Sequence, residues 1–160
     1  MPFRFINEQL INEVSTAAKN SSLQRSYFTF HQSDQELAHR LVKAVEPGSY
    51  IRPHKHNKPD KSQTFIVLRG KFVVVLFAED GRVSEHVVLE AGKSPWGVEI
   101  PPTEWHMMMA LETGTVVYEV VEGPWDPTTH KTYPTWAPDE NDEPAAQGFI
   151  AKIRQELMLY

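Results

Sequence analysis

Apolar residues near the amino terminus recur every three to five positions. This spacing places them on one face of a helix, and they are Ile6, Leu10, Ile11, Val14, Ala17 and Ala18. Asn7 is the expected N-cap, because its side chain can accept a hydrogen bond from the first helical turn. A second apolar stripe follows Pro144, which suits a first helical turn, and it consists of Phe149, Ile150, Ile153 and Leu157. We expect helices over about residues 6–19 and 144–158.

Between these two stretches the apolar pattern is typical of β-strands. Seven short runs rich in Val, Ile, Phe and Tyr alternate with turn residues, over 27–32, 40–46, 63–69, 72–78, 85–89, 105–111 and 115–121. The run 72–78 is apolar at nearly every position, so both of its faces should be covered. Consecutive strands without helices between them favour an antiparallel barrel or jelly roll. We expect this all-β core over about residues 27–121.

The segment 122–143 has a different composition from the rest of the chain. It is rich in proline and contains Trp125 and Trp136, two of the four tryptophans. Because proline stiffens a chain without continuing a helix or a sheet, we expect an ordered loop on the surface. Its aromatic residues, together with Trp105, could form a lid, make a dimer contact or serve only in packing.

Length and composition indicate one globular domain over residues 1–160. Hydrophobic residues make up 41% of the chain and charged residues 23%, which is ordinary for a folded domain. There are 16 basic and 21 acidic side chains, so the net charge is −5. Without a basic block, nucleic-acid and anionic-membrane partners are disfavoured. No stretch has the pattern of a signal peptide or a membrane span, and we expect a cytoplasmic protein.

Two histidines one residue apart are the first candidates for chemistry. The chain has no cysteine, so any metal must be held by histidine, carboxylate or amide oxygen. In an extended backbone His54 and His56 point to the same side, as two ligands of one metal must. They could also be two exposed loop histidines. His106 opens a predicted strand about 50 residues later, and this combination in an all-β chain indicates a metal site.

At these positions the sequence resembles the cupin superfamily of double-stranded β-helix, or jelly-roll, barrels. Gly48, five residues and then His54-x-His56 resemble the first cupin motif, and Pro101-x-Thr-x-x-His106 resembles the second. The runs GSYIRPHKH, TFIVLRGKFVVVLF, GVEIPPTEWH and WDPTTHKTYPTWAP are similar to the WbuC-type cupin-fold metalloproteins over about residues 5–140. This resemblance implies a cupin barrel flanked by helices. It also implies a link to bacterial surface-polysaccharide gene clusters, without assigning an activity.

The resemblance further implies one divalent metal ion held by His54, His56, His106 and Gln63. Gln63, seven residues before Gly70, stands where the usual motif has a glutamate ligand. Four neutral donors leave the full positive charge on the ion, which acidifies bound water and attracts anions. Such donors are compatible with Zn²⁺, Fe²⁺, Ni²⁺ or Mn²⁺. Alternatively, Gln63 hydrogen-bonds a neighbouring residue without contacting metal.

Three further residues are candidates for a substrate pocket. By alternation along an extended chain, Tyr50 and Arg52 share a face with the two histidines. Arg52 could bind a carboxylate or phosphate group of the substrate, or it could pair with a surface acid. His31 ends a predicted strand and could line the mouth of the barrel, or it could face solvent.

Glu119 is a candidate catalytic carboxylate, because it lies among apolar residues of a predicted strand. It could transfer a proton or support a metal-binding histidine. It could also form a structural ion pair with Arg40 or Arg69. The remaining histidines are expected to face solvent, and they are His39, His86 and His130.

Three functions are compatible with these residues. The first is a metal-dependent enzyme, such as an isomerase, hydrolase or oxygenase, that acts on a small polar molecule of sugar-related or anionic type. In it, Arg52 would bind the anion and Glu119 would transfer a proton. The second is a metal-bearing module that binds a small ligand without turning it over. The third is a metal-free, sugar-epimerase-like cupin that uses a histidine as general base. For all three we expect a homodimer, because barrels of this type have exposed sheet edges.

Overall fold

The structure, a computed structural model, describes residues 2–159, in which eight strands lie between two helices. In chain order the elements are α1 (Glu8–Asn20), β1 (Arg25–Thr29), β2 (Ala38–Val45), β3 (Gln63–Arg69), β4 (Lys71–Phe77), β5 (Val83–Glu90), β6 (Gly97–Ile100), β7 (Trp105–Ala110), β8 (Thr115–Glu122) and α2 (Glu143–Glu156). All seven predicted strands are present. The strand β6 was not predicted, because it is short and lies between prolines at positions 95 and 101.

The strands form two antiparallel sheets. One sheet has the order β1-β2-β8-β3-β6 and the other has the order β5-β4-β7. Strand β8 pairs along one edge with β2 and along the other with β3, although both partners are distant from it in sequence. This arrangement of antiparallel strands that close on each other by long connections is the predicted jelly roll.

An apolar core fills the space between the two sheets. Its buried members are Val45, Ile51, Phe65, Val67, Phe72, Val74, Leu89, Ile100, Met108, Ala110 and Val117. Strand β4 contributes Phe72 and Val74 to this core, whereas Val73 and Val75 belong to a cluster on its opposite face. Both faces of the run 72–78 are therefore covered, as its continuous apolar pattern predicted.

Each helix covers the outer face of one sheet. Helix α1 shares an apolar cluster with Val42 and Val116 of the five-stranded sheet. Its N-cap is Asn7, as predicted, since the Asn7 side chain accepts a backbone hydrogen bond from the first turn. Helix α2 places Ile150 and Ile153 in the cluster outside the three-stranded sheet. Neither helix in residues 2–159 has the length and apolar character needed to cross a bilayer.

Inward-facing residues change from apolar to polar toward one end of the barrel. In β8 the core residue Val117 is followed two positions later by Glu119, and in β3 the core residue Phe65 is preceded by Gln63. Strand β7 has His106 as its second residue. Because neighbouring strands are antiparallel, these polar side chains gather at the same end of the barrel. The functional site is expected there.

Candidate metal centre

Three buried histidines converge inside the polar end of the barrel. His54 and His106 face each other on adjacent extended segments, and each backbone N–H donates to the carbonyl of the other at 2.9 Å. His56 follows two residues after His54. The possible ligand atoms of the three imidazoles all lie within 4.8 Å of one another. This separation allows one ion to contact all three rings.

Hydrogen bonds to the backbone set the tautomer of each ring. The Nδ1 atoms of His54, His56 and His106 lie 2.8, 2.5 and 2.9 Å from the carbonyl oxygens of Arg52, His130 and Glu104, respectively. A carbonyl can only accept, so each Nδ1 carries the proton and each Nε2 retains its lone pair. All three Nε2 atoms are buried, and residues 2–159 offer none of them a hydrogen-bond partner. This arrangement suits metal ligation.

Burial keeps the three imidazoles neutral. It is the main cause that lowers the pKa of His54 well below its ordinary value, and it lowers the pKa of His106 to about 4. The pKa of His56 is also lowered by burial, although its hydrogen bond to the His130 carbonyl acts in the opposite direction. Neutral imidazole is the form that binds metal, so the three side chains are ready to bind at neutral pH.

Gln63 lines the same cavity as His54. Its Nε2 atom donates to Glu119 Oε1 at 2.6 Å, and its Oε1 atom is buried without a hydrogen-bond partner in the described chain. An ionised carboxylate only accepts hydrogen bonds, so the contact with Glu119 requires the nitrogen of the amide on that side. The free oxygen is therefore available as a fourth donor. The residues at this centre fit a divalent ion with nitrogen and oxygen ligands.

Glu119 connects the centre to the half-buried Lys43. Its second oxygen lies 2.5 Å from Lys43 Nζ, so the partner is neither of the arginines considered from the sequence. Burial alone would raise the pKa of Glu119, but the Lys43 ammonium and the Gln63 amide lower it by more. Glu119 is thus held as a carboxylate with a partner at each oxygen, and it orients the Gln63 amide.

A cavity of about 580 Å³ opens next to the three histidines, and His54, Gln63 and Glu119 contribute to its wall. The segment 122–143 closes one side, with lining residues Trp125, Pro127, His130, Lys131 and Tyr133. This segment is held in position by backbone hydrogen bonds in both directions between Lys55 and Thr132. The predicted surface loop is therefore a wall of the cavity, and its aromatic residues Trp125 and Tyr133 line the cavity.

Two histidines expected to face solvent lie at the cavity instead. His39 shares strand parity with Leu41 and Lys43, which also line the cavity, and it is buried beneath the 122–143 segment. Its ring stacks on the His31 ring, with ring centroids 4.1 Å apart, and His31 also lines the cavity. His130 lines the cavity beside His56, and burial lowers the pKa of His130 to about 3. The fold of the proline-rich segment buries His39 and places His130 at the cavity, so neither position could be predicted from the local sequence.

Tyr50 and Arg52 do not line the cavity. The Tyr50 side chain packs with Phe149 of α2, and its hydroxyl donates to the Pro138 carbonyl at 3.0 Å. Arg52 pairs with Asp139 at 2.9 Å and stacks over the Tyr133 ring, which is the alternative role considered for it. The chain is not in a strand directly after β2, so side chains at Tyr50, Arg52 and His54 do not share one face as alternation predicted.

Lys131 also lines the cavity, although no motif or pattern in the sequence indicates it. Burial is the main cause that lowers the pKa of Lys131 to about 8, and the nearby Lys43 adds to it. No periodic pattern in the proline-rich segment indicates which of its side chains face inward, so local sequence carried no signal for this residue.

Comparisons with known proteins identify a family and a fold. A family model described as Domain of unknown function (DUF6016) matches residues 6–89. Comparison with curated proteins gives no match. Among solved structures, KdgF from Halomonas sp. is 19% identical, with 65% of this chain and 83% of that chain covered and a TM-score of 0.50.

Two larger proteins contain a similar barrel. The capsular polysaccharide assembling protein CapF from Staphylococcus aureus is 19% identical, covering 68% of this chain and 29% of that chain, with a TM-score of 0.51. Oxalate decarboxylase from Bacillus subtilis is 17% identical, covering 68% of this chain and 27% of that chain, with a TM-score of 0.51. The chain thus spans less than a third of either protein. At this level of identity the similarity shows the cupin fold alone.

Proposed function

The chain belongs to the family described as Domain of unknown function (DUF6016), and we propose that it is a metal-binding cupin acting on a small anionic molecule. The observation that carries this proposal is the convergence of three buried, neutral histidines whose Nε2 atoms have no other partner in residues 2–159. Gln63 would supply the fourth donor through its free amide oxygen. The ion would be Zn²⁺, Fe²⁺, Ni²⁺ or Mn²⁺, since all four accept nitrogen and oxygen ligands.

The chemistry follows from the donor set. A divalent ion with four neutral ligands would polarise an oxygen atom of the substrate and lower the pKa of bound water. Glu119 is assigned a positioning role here, because one of its oxygens accepts from Gln63 and the other faces Lys43. Arg52 is not assigned to the substrate, because it pairs with Asp139. The cavity, at about 580 Å³, suits a molecule of the size of a sugar.

The sugar-related part of the proposal depends on two resemblances. The motif run resembles the WbuC-type cupin-fold metalloproteins, and CapF, which has a similar barrel, is named as a capsular polysaccharide assembling protein. Oxalate decarboxylase from Bacillus subtilis, with another similar barrel, contains Mn(II) centres. These names agree with a metal-dependent role in the chemistry of small acids or sugars, but the argument for this chain depends on its own site.

A metal-free function with a histidine as general base is less favoured. Such a histidine is usually oriented by a carboxylate. Here the Nδ1 atoms of His54, His56 and His106 all meet backbone carbonyls, and no carboxylate partners any of them in residues 2–159. Ligand binding without turnover would use the same centre, and product analysis by NMR distinguishes it from catalysis once a ligand is known.

The experiment that tests the proposal is metal analysis of the purified, untagged protein by inductively coupled plasma mass spectrometry. We expect about one equivalent of a transition metal in the wild type and almost none in a His54→Ala/His56→Ala double variant. His86→Ala is the matched control, because His86 is exposed on β5. Absence of metal in the wild type, even after incubation with each candidate ion, would overturn the proposal in favour of the metal-free function.

We also propose that the protein is a homodimer. The edge strand β1 exposes Tyr27 and Phe28, whose side chains are 62% and 40% exposed, respectively. An apolar sheet edge of this kind favours pairing with a second copy. Light scattering coupled to size-exclusion chromatography tests this, and a mass close to 18.3 kDa would contradict it.

A further inference from the structure

One lysine of the cavity wall forms no ion pair within residues 2–159. Of the two lysines that line the cavity, Lys43 pairs with Glu119 at 2.5 Å. Lys131 makes no hydrogen bond or ion pair with any side chain or backbone group of residues 2–159. Both nearby arginines form ion pairs, Arg25 with Glu140 and Arg52 with Asp139. Lys131 is therefore a partly buried cation without an anionic partner in residues 2–159.

The inner part of the cavity is positive although the protein as a whole is acidic. Within residues 2–159, Glu119 is the acidic cavity residue beside the candidate metal centre, and Lys43 neutralises it. The other lining acid, Asp34, belongs to the outer part near His31 and His39. A divalent ion on neutral ligands would add further positive charge. A buried cation without a partner is unfavourable, and a bound anion would remove this penalty.

Three exposed aromatic residues line the cavity. Tyr27, Trp125 and Tyr133 are 62%, 38% and 45% exposed, respectively, and the Tyr133 ring centroid lies 6.4 Å from that of His54. Exposed aromatic rings around a polar pocket offer flat apolar surfaces to a ring-shaped ligand, while the polar groups inside set its orientation. The cavity thus combines aromatic rings, an unpaired cation and a candidate metal centre within one space.

We infer that Lys131 binds the oxyanion of the ligand, and that the ligand is an acidic sugar-like molecule, with a carboxylate or phosphate group directed at Lys131. This inference rests on the proposed function, because it assigns the substrate class of the same site. It replaces Arg52, which the sequence had suggested for this role, with a residue from the proline-rich segment. Lys131 is a binding residue here, and its ammonium acts as a point charge that accepts either oxyanion.

The test measures binding by isothermal titration calorimetry to the metal-loaded protein. The probes are D-glucuronate, D-glucose 1-phosphate and neutral D-glucose, so that the carboxylate and phosphate sources are distinguished by which acidic probe binds. We expect at least one acidic probe to bind more tightly than D-glucose. Lys131→Met should weaken that binding at least tenfold, whereas Lys131→Arg should retain most of it because the charge is kept. Lys152→Met, which removes an exposed lysine of α2, should bind like the wild type.

Two results would overturn the inference. One is acidic binding no tighter than that of D-glucose, and the other is unchanged acidic binding in Lys131→Met. Metal content is measured on every sample, because Lys131→Met should retain its metal. If the wild type held no metal, the proposed function would fail. The Lys131 dependence would still be measured on the metal-free protein, since its charge does not depend on the ion.

Discussion

His56 donates from Nδ1 to the backbone carbonyl oxygen of His130 at 2.5 Å. A candidate metal ligand on the segment after β2 is thereby oriented by the proline-rich segment that closes the cavity. The same segment carries Lys131 and Tyr133 into the cavity wall. Formation of the metal centre and formation of the ligand cavity are therefore coupled through the contacts between these two segments.

We expect His106→Ala to lower metal occupancy sharply while the barrel stays folded. His106 supplies one of three convergent Nε2 atoms, and its loss leaves too few donors for tight binding. The barrel keeps its apolar core, so the loss of stability in the metal-free protein should be about 1 to 3 kcal/mol. Mass spectrometry of the metal and thermal unfolding followed by circular dichroism check this. Unchanged occupancy would show that His106 is not a ligand.

We expect Gln63→Glu to destabilise the metal-free protein. In the wild type the Gln63 amide donates to Glu119 at 2.6 Å. The substitution replaces this donor with a second carboxylate beside Glu119. Ionisation of both groups is unfavourable because the two negative charges repel, so the free energy of unfolding should fall by about 1 to 3 kcal/mol at neutral pH. Added metal should restore part of it, since a carboxylate is a stronger ligand than an amide. Urea unfolding with and without zinc measures both effects.

Gln63→Leu is the matched control for that experiment, because it removes the donor oxygen without adding charge. It should lower metal affinity, and added zinc should restore less stability to it than to Gln63→Glu. Equal responses of the two variants to metal would contradict a ligand role for residue 63.

We expect Lys131→Met to stabilise the metal-free protein at pH 7. The pKa of Lys131 is lowered to about 8 from an ordinary value of 10.5, so the folded state disfavours the charged form. For a base with a lowered pKa, the penalty is fully present below about pH 8 and disappears as the pH rises toward 10.5. The gain from the substitution should be about 1 to 3 kcal/mol at pH 7 and should shrink above pH 8. Urea unfolding across this range measures it.

The groups that face Lys131 define the controls for this prediction. Lys43 and Arg25 lower its pKa, whereas Glu119 and Glu140 raise it. Lys152→Met should leave both the stability and its pH dependence unchanged, since Lys152 is exposed. A variant that is less stable than the wild type at pH 7 would show that Lys131 has a favourable partner. Higher stability with weaker anion binding is the combination expected of a functional cation.

We expect Gly123→Ala to disturb the cavity wall. An added Cβ would collide with the Glu36 carbonyl oxygen and lie 2.8 Å from the His39 ring, so the start of the proline-rich segment must move. The loss of stability should be at least about 2 kcal/mol, and metal content should fall because His56 is oriented by the same segment. Gly148→Ala is the control. Nothing lies within 4 Å of its Cβ position in α2, so it should stabilise the protein by up to about 1 kcal/mol. Thermal unfolding and metal analysis compare them.

The regular elements were predictable from local patterns, whereas side-chain positions outside them were predictable only where a motif covered them, as at His54 and His56. The helix cap at Asn7 and seven of the strands follow local patterns, and the structure contains them. The alternation rule failed at Tyr50, which follows the end of β2 and packs against α2. The rule also gave no information on Lys131. The proline-rich segment has no repeating backbone geometry, so the position of a residue along it does not indicate whether its side chain points into the cavity.

The sequence by itself determined the fold class and the candidate ligands. The strands could be identified because hydrophobic periodicity is a local property of the sequence. The resemblance to cupin motifs identified the candidate ligands, which are His54, His56, His106 and Gln63. Only the tertiary structure decided which lysine is neutralised and which is free, and that the 122–143 segment forms the cavity wall. These facts depend on contacts between elements distant in the chain. Burial and pairing arise from the packed molecule, and no local pattern encodes them.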